Sequence, residues 1–291
     1  MPRIPKTLHL VFGMRPDFGG KPWSLIHHVC LSSAVQRLQP DRVLFHYAHE
    51  PAGAWWQLSR PLVTLNRIAA PDSVFGNPLT HVAHMADVVR MQILIEHGGI
   101  YLDTDVLVQR SFDELLEHSV VMGRECACGF DGLANAVILA EPQAPFLRRW
   151  YEEYRSFDGR DWNEHSVLLP ARLAADHPEE VTVLSPKAFF WPTWEPDDLA
   201  LLLNSPVELP LDETYANHLW ESKIWGAVRD MTPGEVRRGK GNFQRWAAPL
   251  LAGLPDQYGA PSLLFRARRG HRTLLDFCAR LQDMAALRLK A

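Results

Sequence analysis

The sequence predicts an α/β fold in which a mainly parallel sheet is flanked by helices. Short runs of β-branched and apolar residues alternate with segments of helical spacing through the first third of the chain, as is typical of βαβ units. The length of 291 residues is enough for one large α/β domain with an ordinary core. Ligands of such folds bind beyond the carboxyl ends of the strands, and we expect the functional residues there.

The first two predicted strands and the helix between them form the start of the sheet. Leu8–Phe12 is a short apolar run closed by a glycine, and the run RVLFHYA at 42–48 is a second one. Trp23–Leu38 lies between them and carries helical spacing, so the chain begins with a strand, a helix and a strand. A third run, Leu62–Ile68, extends this part of the sheet.

The clearest helix of the sequence ends directly before its most unusual strand. Thr80 can cap this helix, apolar residues then recur every three to four positions, and Gly98 can end it with a left-handed backbone. The following run, Ile100–Val108, is apolar except for Asp103 and Asp105, which predicts a buried strand.

The remaining elements follow from the same rules of spacing. They are a helix at Phe112–Glu117, strands at Val120–Gly123 and Ala136–Ala140, a helix at Pro145–Tyr154 and a final amphipathic helix at about His271–Leu289. A segment rich in proline and tryptophan, FFWPTWEP at 189–196, lies outside these elements.

The charge divides the chain into an acidic body and a basic tail. From Val228 onward there are 12 Lys and Arg against 5 Asp and Glu, although the whole chain has a net charge of -4. The basic lead and amphipathic helix of the tail suit peripheral contact with an anionic membrane surface, and equally suit a helix packed on the body with a solvated basic face.

Composition also limits the classes of partner and the compartment. The small net charge argues against broad nucleic-acid binding. No apolar run approaches the roughly 20 residues of a membrane span, and the opening MPRIPKTLHLVFG lacks the pattern of a secretory signal. We therefore expect a cytoplasmic protein, with any membrane contact at the inner face of the membrane.

Asp103 and Asp105 are the first candidates for chemistry. Alternate residues of a strand point the same way, so the two carboxylates would lie close together and repel each other unless a cation is near. Oxygen ligands in this spacing favour Mg²⁺ or Mn²⁺. Two solvated aspartates at the end of a strand are the simpler alternative.

The preceding helix adds polar residues on one side. His84, Asp87 and Arg90 are spaced three residues apart, although most of their neighbours are apolar. A surface ion pair between Asp87 and Arg90 would be commonplace. A partly buried pair needs further partners, and sugar hydroxyls can donate to Asp87 and accept from Arg90.

The string ADVVRMQILIEHGGIYLDTDV resembles the motif of glycosyltransferase family 32 and of the related clostridial glucosylating toxins. The segments IPKTLHLVFG, ANAVILAEPQAPFL and NHLWESKIW are similar to further segments of this family, in the same order. The resemblance covers roughly residues 4 to 225. It implies a GT-A type fold with a Rossmann-like sheet, a catalytic domain at 1–225 and a basic, partly helical C-terminal extension at 226–291.

The resemblance also implies roles for single residues around a nucleotide-sugar donor. Asp105 would bind the metal ion directly, and Asp103 would hold the ribose and a metal-bound water. Asp87 and Arg90 would bind the hydroxyls of the donor sugar. The other implied contacts are Val11 and Phe12 at the base, Tyr101 beside the nucleotide, Asn135 near the donor sugar or the acceptor, His218 as a third metal or diphosphate ligand, and Trp220 or Trp225 over the phosphates.

The function implied is a metal-dependent, retaining transfer of a hexose from a nucleotide sugar, with a UDP-sugar favoured, to a glycan, lipid-linked or small-molecule acceptor. The acidic residues Glu141, Glu164 and Asp131 could approach the site, and the sequence does not rank them as nucleophiles. Two alternatives are a catalytically silent protein that binds nucleotide sugars or glycans, and a phosphotransferase or phosphatase that uses Asp103 as nucleophile.

Overall fold

The computed structural model describes residues 2–127 and 129–260, and a compact unit ends at Tyr258. The strands are β1 (Thr7–Phe12), β2 (Arg42–Tyr47), β3 (Thr64–Arg67), β4 (Ser73–Val74), β5 (Asn77–Pro78), β6 (Gly99–Leu102), β7 (Val106–Val108), β8 (Val120–Ala127), β9 (Phe130–Ala140), β10 (Thr182–Leu184) and β11 (Ala216–His218).

The helices lie mainly in the connections between these strands. They are α1 (Leu25–Leu38), α2 (Ala54–Ser59), α3 (Val82–His97), α4 (Pro145–Glu153), α5 (Leu169–Asp176), α6 (Pro186–Phe189), α7 (Pro196–Leu203), α8 (Glu221–Val228), α9 (Pro233–Arg238) and α10 (Asn242–Ala247). A π-helical turn at Glu164–Leu168 precedes α5.

Seven strands form the central sheet in the order β10-β8-β9-β6-β1-β2-β3. All neighbours pair in parallel except β9, which is antiparallel to both β6 and β8. The carboxyl ends of β1, β6 and β8 therefore lie at one edge of the sheet. The predicted mainly parallel α/β architecture is confirmed.

Each face of the sheet is covered by a core cluster. One cluster joins α1 and the C-terminal helices to the sheet, and its buried residues include Leu31, Phe45, Val137 and Phe243. The other joins α3, α4 and α5 to the sheet, and includes Met91, Ile138 and Trp150. Burial on both faces explains the near-continuous apolar runs of the central strands.

A chain of hydrogen bonds, buried at His9 and His46, crosses the parallel strands. Asn66 Nδ2 lies 2.9 Å from His46 Nδ1, His46 Nε2 lies 3.1 Å from His9 Nδ1, and His9 Nε2 lies 3.0 Å from the Gly98 carbonyl oxygen. Because the amide nitrogen of Asn66 can only donate and the Gly98 carbonyl oxygen can only accept, both imidazoles are neutral and each donates from Nε2. Burial and the mutual charge repulsion of the pair lower the pKa of His9 to about 3, and burial lowers that of His46 to about 4.

The turn between α3 and β6 requires glycine. Gly98 ends α3 with a φ of +63°, and Gly99 starts β6 with a φ of +117°. A Cβ atom on Gly99 would lie 2.6 Å from the Thr7 carbonyl oxygen, and one on Gly98 would lie 2.6 Å from Pro142 Cδ. This close approach lets β6 enter the sheet directly after the helix.

Three local expectations differ from the structure. The predicted strand at 100–108 is two strands, since a turn at 103–105 separates β6 from β7. The expected helix at 112–117 is only a 3-10 turn, Asp113–Leu115. His81 rather than Thr80 caps α3, because its ring nitrogen accepts a hydrogen bond from the Ala83 backbone at 3.1 Å.

The compact unit also extends past the expected domain boundary after Trp225. Val236, Phe243 and Leu251 are buried in the core that includes α1, which places residues up to Tyr258 with the body. The predicted helix at 271–289 lies outside the described residues. Within the described part of the chain, every helix is too short or too polar to cross a membrane.

Candidate active site

A cavity of about 700 Å³ opens at the edge of the sheet where β1, β6 and β8 end. Every residue that the sequence assigned to the site lines it, except Trp225: Val11, Phe12, Asp87, Arg90, Tyr101, Asp103, Asp105, Asn135, His218 and Trp220. Cationic and aromatic side chains from other parts of the chain, among them Lys21, Lys223 and Trp194, complete the wall.

The two aspartates of the motif lie on the turn that follows β6. The Asp103 backbone N–H donates to the Ala136 carbonyl at 2.8 Å, and the Val106 N–H donates to the Asp103 carbonyl at 3.1 Å. Strand alternation therefore does not bring the carboxylates together, contrary to the sequence-based argument. The turn does, because it reverses the chain between β6 and β7.

Asp105 is held by the segment that begins α8. Its Oδ2 accepts a hydrogen bond from the Glu221 backbone at 2.8 Å, and its Oδ1 lies 3.3 Å from His218 Nε2. Burial opposes ionisation of Asp105, but His218 and the Glu221 N–H together hold its pKa well below the usual range. Asp105 is therefore a carboxylate at neutral pH.

His218 reaches this carboxylate through pairing of strands distant in the sequence. β11 pairs antiparallel with β7, so His218 faces Val106, the residue next to Asp105. Burial lowers the pKa of His218, but the carboxylates of Asp105, Asp103 and Glu125 reverse this effect and the net shift is upward.

Asp103, Asp105 and His218 form a donor set suited to a divalent cation. One ligand atom from each of the three residues lies within 4.8 Å of the other two. Two carboxylates suit a hard divalent cation such as Mg²⁺ or Mn²⁺, and the imidazole nitrogen offers a third ligand atom. The groups present therefore fit the metal ion that the sequence motif implies.

The buried guanidinium of Arg90 joins the helix to the aspartate turn. Its Nη2 lies 3.2 Å from both Asp87 Oδ1 and Asp103 Oδ1, and its Nη1 donates to the Asn135 carbonyl at 2.7 Å. The guanidinium also lies over the Tyr101 ring, 4.5 Å from its centroid. Burial opposes the charge, but the carboxylates of Asp103 and Asp87 raise the pKa of Arg90.

Tyr101 and Asp103 make the shortest of these contacts. The buried Tyr101 hydroxyl donates to Asp103 Oδ1 at 2.6 Å. Asp103 Oδ1 accepts from Tyr101 and pairs with Arg90, whereas Oδ2 has no hydrogen-bond or ion-pair partner in the part of the chain that the structure describes. Tyr101 and Arg90 therefore hold the Asp103 carboxylate in one orientation at the cavity.

Asn135 lies in an irregular part of the β8–β9 ladder. Met122 pairs with Ile138, but the next residue, Gly123, pairs with Ala134, so the three residues between bulge from the ladder. From this bulge the Asn135 side chain donates to Asp87 Oδ1 at 2.8 Å. Burial raises the pKa of Asp87, although Arg90 and Asn135 oppose the shift.

Aromatic rings form the end of the cavity at β1. The Phe12 ring stacks on Phe18 with centroids 5.6 Å apart, and meets the edge of Trp23 at 5.2 Å. Val11 precedes Phe12 on β1 and lines the cavity, as does Lys21, whose Nζ lies 3.3 Å from Glu221 Oε2. A flat apolar surface suits the base of a nucleoside.

The two tryptophans expected over the phosphates are placed differently. Trp220 lines the cavity, its ring centroid lies 4.1 Å from that of His218, and its Nε1 donates to the Pro192 carbonyl at 2.8 Å. Trp225 packs against the core near His27 and does not line the cavity. Of these two tryptophans, Trp220 is the one placed to contact a ligand in the cavity.

The acidic residues considered as nucleophiles do not line the cavity. Each pairs with an arginine instead: Glu141 with Arg3, Glu164 with Arg172 and Asp131 with Arg124. Two buried acidic residues that line the cavity were not predicted from the sequence: Glu221, which pairs with Lys21 and His27, and Glu125 on β8. Burial raises the pKa of Glu125, although His218 and a hydrogen bond from Trp194 oppose the shift.

A signal for Glu125 was present in the sequence. Residues of β8 alternate between the two faces, so Glu125 shares a face with the buried Gly123, whereas Arg124 and Cys126 are exposed. The predicted strand ended at Gly123, two residues too early to place this side chain.

Comparison with known proteins supports the interpretation of the motif. The family model described as "Glycosyltransferase sugar-binding region containing DXD motif" matches residues 64–122. The chain is 37% identical over 265 residues to glucan organizing enzyme 1 of Cryptococcus neoformans, covering 87% of this chain and 72% of that protein. It is 27% identical over 170 residues to the lactosylceramide 4-alpha-galactosyltransferase of Rattus norvegicus, covering 51% of this chain and 43% of that enzyme.

Among solved structures, the glycosyltransferase GlyE of Streptococcus pneumoniae is similar over 89% of this chain and 66% of its own, with 12% identity and a TM-score of 0.49. The motif match and the extensive identity to the cryptococcal protein together identify the family. The chain belongs to the glycosyltransferases with a DXD-containing sugar-binding region, of the family 32 type, and is a hexosyltransferase-type enzyme of GT-A fold.

Proposed function

We propose that this glycosyltransferase is metal-dependent and moves a hexose from a UDP-sugar to a saccharide acceptor with retention of anomeric configuration. The observation that carries the proposal is that two sets of polar residues, a candidate metal site and a hydrogen-bonded network, lie in one cavity. Asp103, Asp105 and His218 can hold a divalent cation, and the network of Asp87, Arg90 and Asn135 lies beside it.

The order of strands in the sheet suggests how a donor lies in the cavity. The aromatic end is at β1, the aspartate turn follows β6, and Asn135 is on β9, the next strand. A nucleotide sugar has a base, a diphosphate and a sugar in the same order. The base would contact Val11 and Phe12, and the sugar would reach the network around Arg90.

The transfer reaction requires little covalent participation by the protein. The bond between the anomeric carbon and the diphosphate oxygen breaks with its electron pair on the oxygen, and an acceptor hydroxyl forms the new bond as its proton is released. A divalent cation at Asp103, Asp105 and His218 would neutralise charge on the leaving diphosphate. Lys223 lines the same cavity and adds positive charge from the chain itself, whereas the charge of Lys21 is paired with Glu221.

The network around Arg90 would orient the donor sugar. Arg90 is held by two carboxylates and a carbonyl, so its position is set before a ligand arrives. Asp87 Oδ1 accepts a hydrogen bond from Asn135 and forms an ion pair with Arg90, whereas Oδ2 has no hydrogen-bond or ion-pair partner among the described residues and could accept from a sugar hydroxyl. Orientation of this kind lowers the barrier to transfer without any covalent contribution.

The names of the relatives guide the choice of donors and acceptors to test. One is a glucan organizing enzyme and another transfers galactose to lactosylceramide, so glucose- and galactose-containing substrates come first. A cytoplasmic location, with peripheral contact at the inner face of the membrane, stays a prediction.

The test begins with binding. Thermal unfolding is measured with UDP-glucose, UDP-galactose, UDP-N-acetylglucosamine and GDP-mannose, each with and without Mn²⁺, because a donor that binds the folded state raises Tm. The donor selected in this way is then assayed for hydrolysis and for transfer to lactose and laminaritetraose. NMR of the product gives the anomeric configuration.

We expect a UDP-hexose to raise Tm only with a divalent cation, and the product to keep the anomeric configuration of the donor. Binding without hydrolysis or transfer would instead identify a catalytically silent protein. If none of the nucleotide sugars binds in either condition, the proposed function is wrong.

A further inference from the structure

One wall of the cavity has no part in the proposed binding of the donor. The groups assigned to the donor come from β1, α3, β6, β9 and the segment after β11. On the far side, β8 contributes Glu125 and the segment before α7 contributes Trp194, and both side chains line the cavity.

Glu125 is a carboxylate placed beyond the sugar end of the donor. In the sheet, β8 follows β9, so Glu125 lies one strand farther from the aromatic end than Asn135 does. Its side chain is only 7% exposed, yet it borders the cavity. Oε1 accepts a hydrogen bond from Trp194 Nε1 at 2.9 Å, and Oε2 has no other protein partner in residues 2–127 and 129–260.

Trp194 is held in the wall by the segment around it. The Thr193 backbone and hydroxyl donate to Asp198 Oδ2 at 2.9 and 2.7 Å. The Pro192 carbonyl accepts from Trp220 Nε1, which links this segment to the residues after His218. Lys223 Nζ lies 5.6 Å from the centroid of the Trp194 ring. The indole is therefore fixed between the β8 carboxylate and the metal-binding side of the cavity.

We propose that Glu125 and Trp194 form the acceptor subsite, in which the free carboxylate oxygen of Glu125 accepts a hydrogen bond from a sugar hydroxyl and the indole of Trp194 supports the sugar ring. This assignment rests on the proposed function and names the site of its second substrate.

The chemistry of the pair selects a saccharide. A carboxylate offers only acceptor positions, which suit hydroxyl donors, and it repels phosphate or carboxylate ligands. The indole N–H is already engaged by Glu125, so a ligand would contact the large apolar face of the ring, which it would share with Lys223. A neutral sugar has hydroxyl edges and C–H faces, and satisfies both groups at once.

Steady-state kinetics with both substrates varied will test the assignment. The variants are Glu125→Gln, which can still accept from Trp194, and Trp194→Phe, which keeps an aromatic ring but loses the N–H. The donor is the one identified by thermal shift, and the acceptors are lactose and laminaritetraose. Glu50→Gln is a matched control, because Glu50 also accepts from a tryptophan, Trp56 Nε1 at 3.1 Å, but does not line the cavity.

We expect the acceptor KM of Glu125→Gln and Trp194→Phe to rise about tenfold, while the donor KM changes less than about twofold and Glu50→Gln matches the wild type. Equilibrium binding of lactose or laminaritetraose in the presence of UDP and Mn²⁺ should weaken by the same factor. This second measurement does not depend on turnover.

Other outcomes overturn the assignment. If both KM values rise together, Glu125 belongs to the donor site. If only kcat falls, or if neither variant changes the acceptor KM, the subsite lies elsewhere and the proposed function stands. If the wild type neither hydrolyses nor transfers any of the nucleotide sugars, the proposed function fails and this assignment fails with it.

Discussion

One nitrogen of Arg90, Nη2, lies 3.2 Å from Asp103 Oδ1, and the same nitrogen lies 3.2 Å from Asp87 Oδ1. This single buried group therefore connects the α3 helix with the DXD turn. The relationship predicts that the donor-sugar network and the metal site cannot be disturbed independently at this position.

Arg90→Lys should reduce donor hydrolysis about a hundredfold, because an ammonium group cannot reach two carboxylates and the Asn135 carbonyl together. Arg90→Ala should also lower the free energy of unfolding by about 3–5 kcal/mol, since the buried carboxylate of Asp87 and the partly buried one of Asp103 lose their cation. Urea denaturation and a hydrolysis assay separate the two effects. Arg124→Ala, which breaks an exposed pair with Asp131, is the control and should change both quantities little.

Asp105→Asn should abolish metal-dependent activity while preserving the fold. The amide keeps the size of the side chain but loses the charge that binds a cation, so we expect a loss on the order of a hundred- to a thousandfold. His218→Gln should weaken the binding of Mn²⁺ by about ten- to a hundredfold. Mn²⁺ titrations of hydrolysis measure both variants, and unchanged activation in either would contradict the assignment of the metal ligands.

Trp220→Phe and Trp225→Phe should differ in donor affinity. Trp220 lines the cavity and is fixed by its hydrogen bond to Pro192, so we expect its replacement to weaken donor binding about tenfold. Trp225 packs on the core outside the cavity, and its replacement should change donor affinity less than about twofold. Calorimetric titration with the donor and Mn²⁺ checks the comparison. Equal effects would mean that Trp225 reaches the ligand.

Gly99→Ala should destabilise the protein far more than Gly253→Ala. Both glycines have positive φ, +117° and +82°, so alanine at either position would cost about 1–2 kcal/mol of backbone strain. Only Gly99 also meets neighbours, with the added Cβ 2.6 Å from the Thr7 oxygen and 2.8 Å from His9 Nε2. We expect a loss of about 3–5 kcal/mol for Gly99→Ala, measured by urea denaturation. Similar losses for the two variants would contradict the packing argument.

Stability should fall as the pH decreases below about 6.5. Burial lowers the pKa of His28 to about 4, as it does for His46, and His9 lies near 3. Between these values and the unfolded pKa, the unfolded chain binds protons that the folded protein does not, so the free energy of unfolding rises with pH in this window. Each histidine should account for about 2 kcal/mol between pH 7.5 and 5.

His28→Gln tests the size of this effect for one group. The amide can still donate to Ser59 Oγ, which lies 2.9 Å from His28 Nδ1, but it does not titrate. The difference in unfolding free energy between pH 7.5 and 5 should shrink by about 2 kcal/mol relative to the wild type. An unchanged difference would show that His28 does not contribute to the acid sensitivity.

The α/β class and most of the site residues were predictable from the sequence. The local spacing of apolar residues predicts strands and helices. The polar residues from Asp87 to Asp105 lie close together because they belong to two adjoining elements. The turn at 103–105 was not predictable in this way, because its apolar neighbours continue the pattern of a strand on both sides.

The sequence by itself determined the chemical groups of this protein: a pair of aspartates for a cation, an Asp and Arg pair on the preceding helix, and the family to which they belong. The tertiary structure decided which distant residues join them. His218 meets Asp105 because β11 pairs with β7, and Glu125 reaches the cavity because β8 lies beside β9. Pairing between strands far apart along the chain depends on the packing of the whole sheet, which local periodicity does not encode.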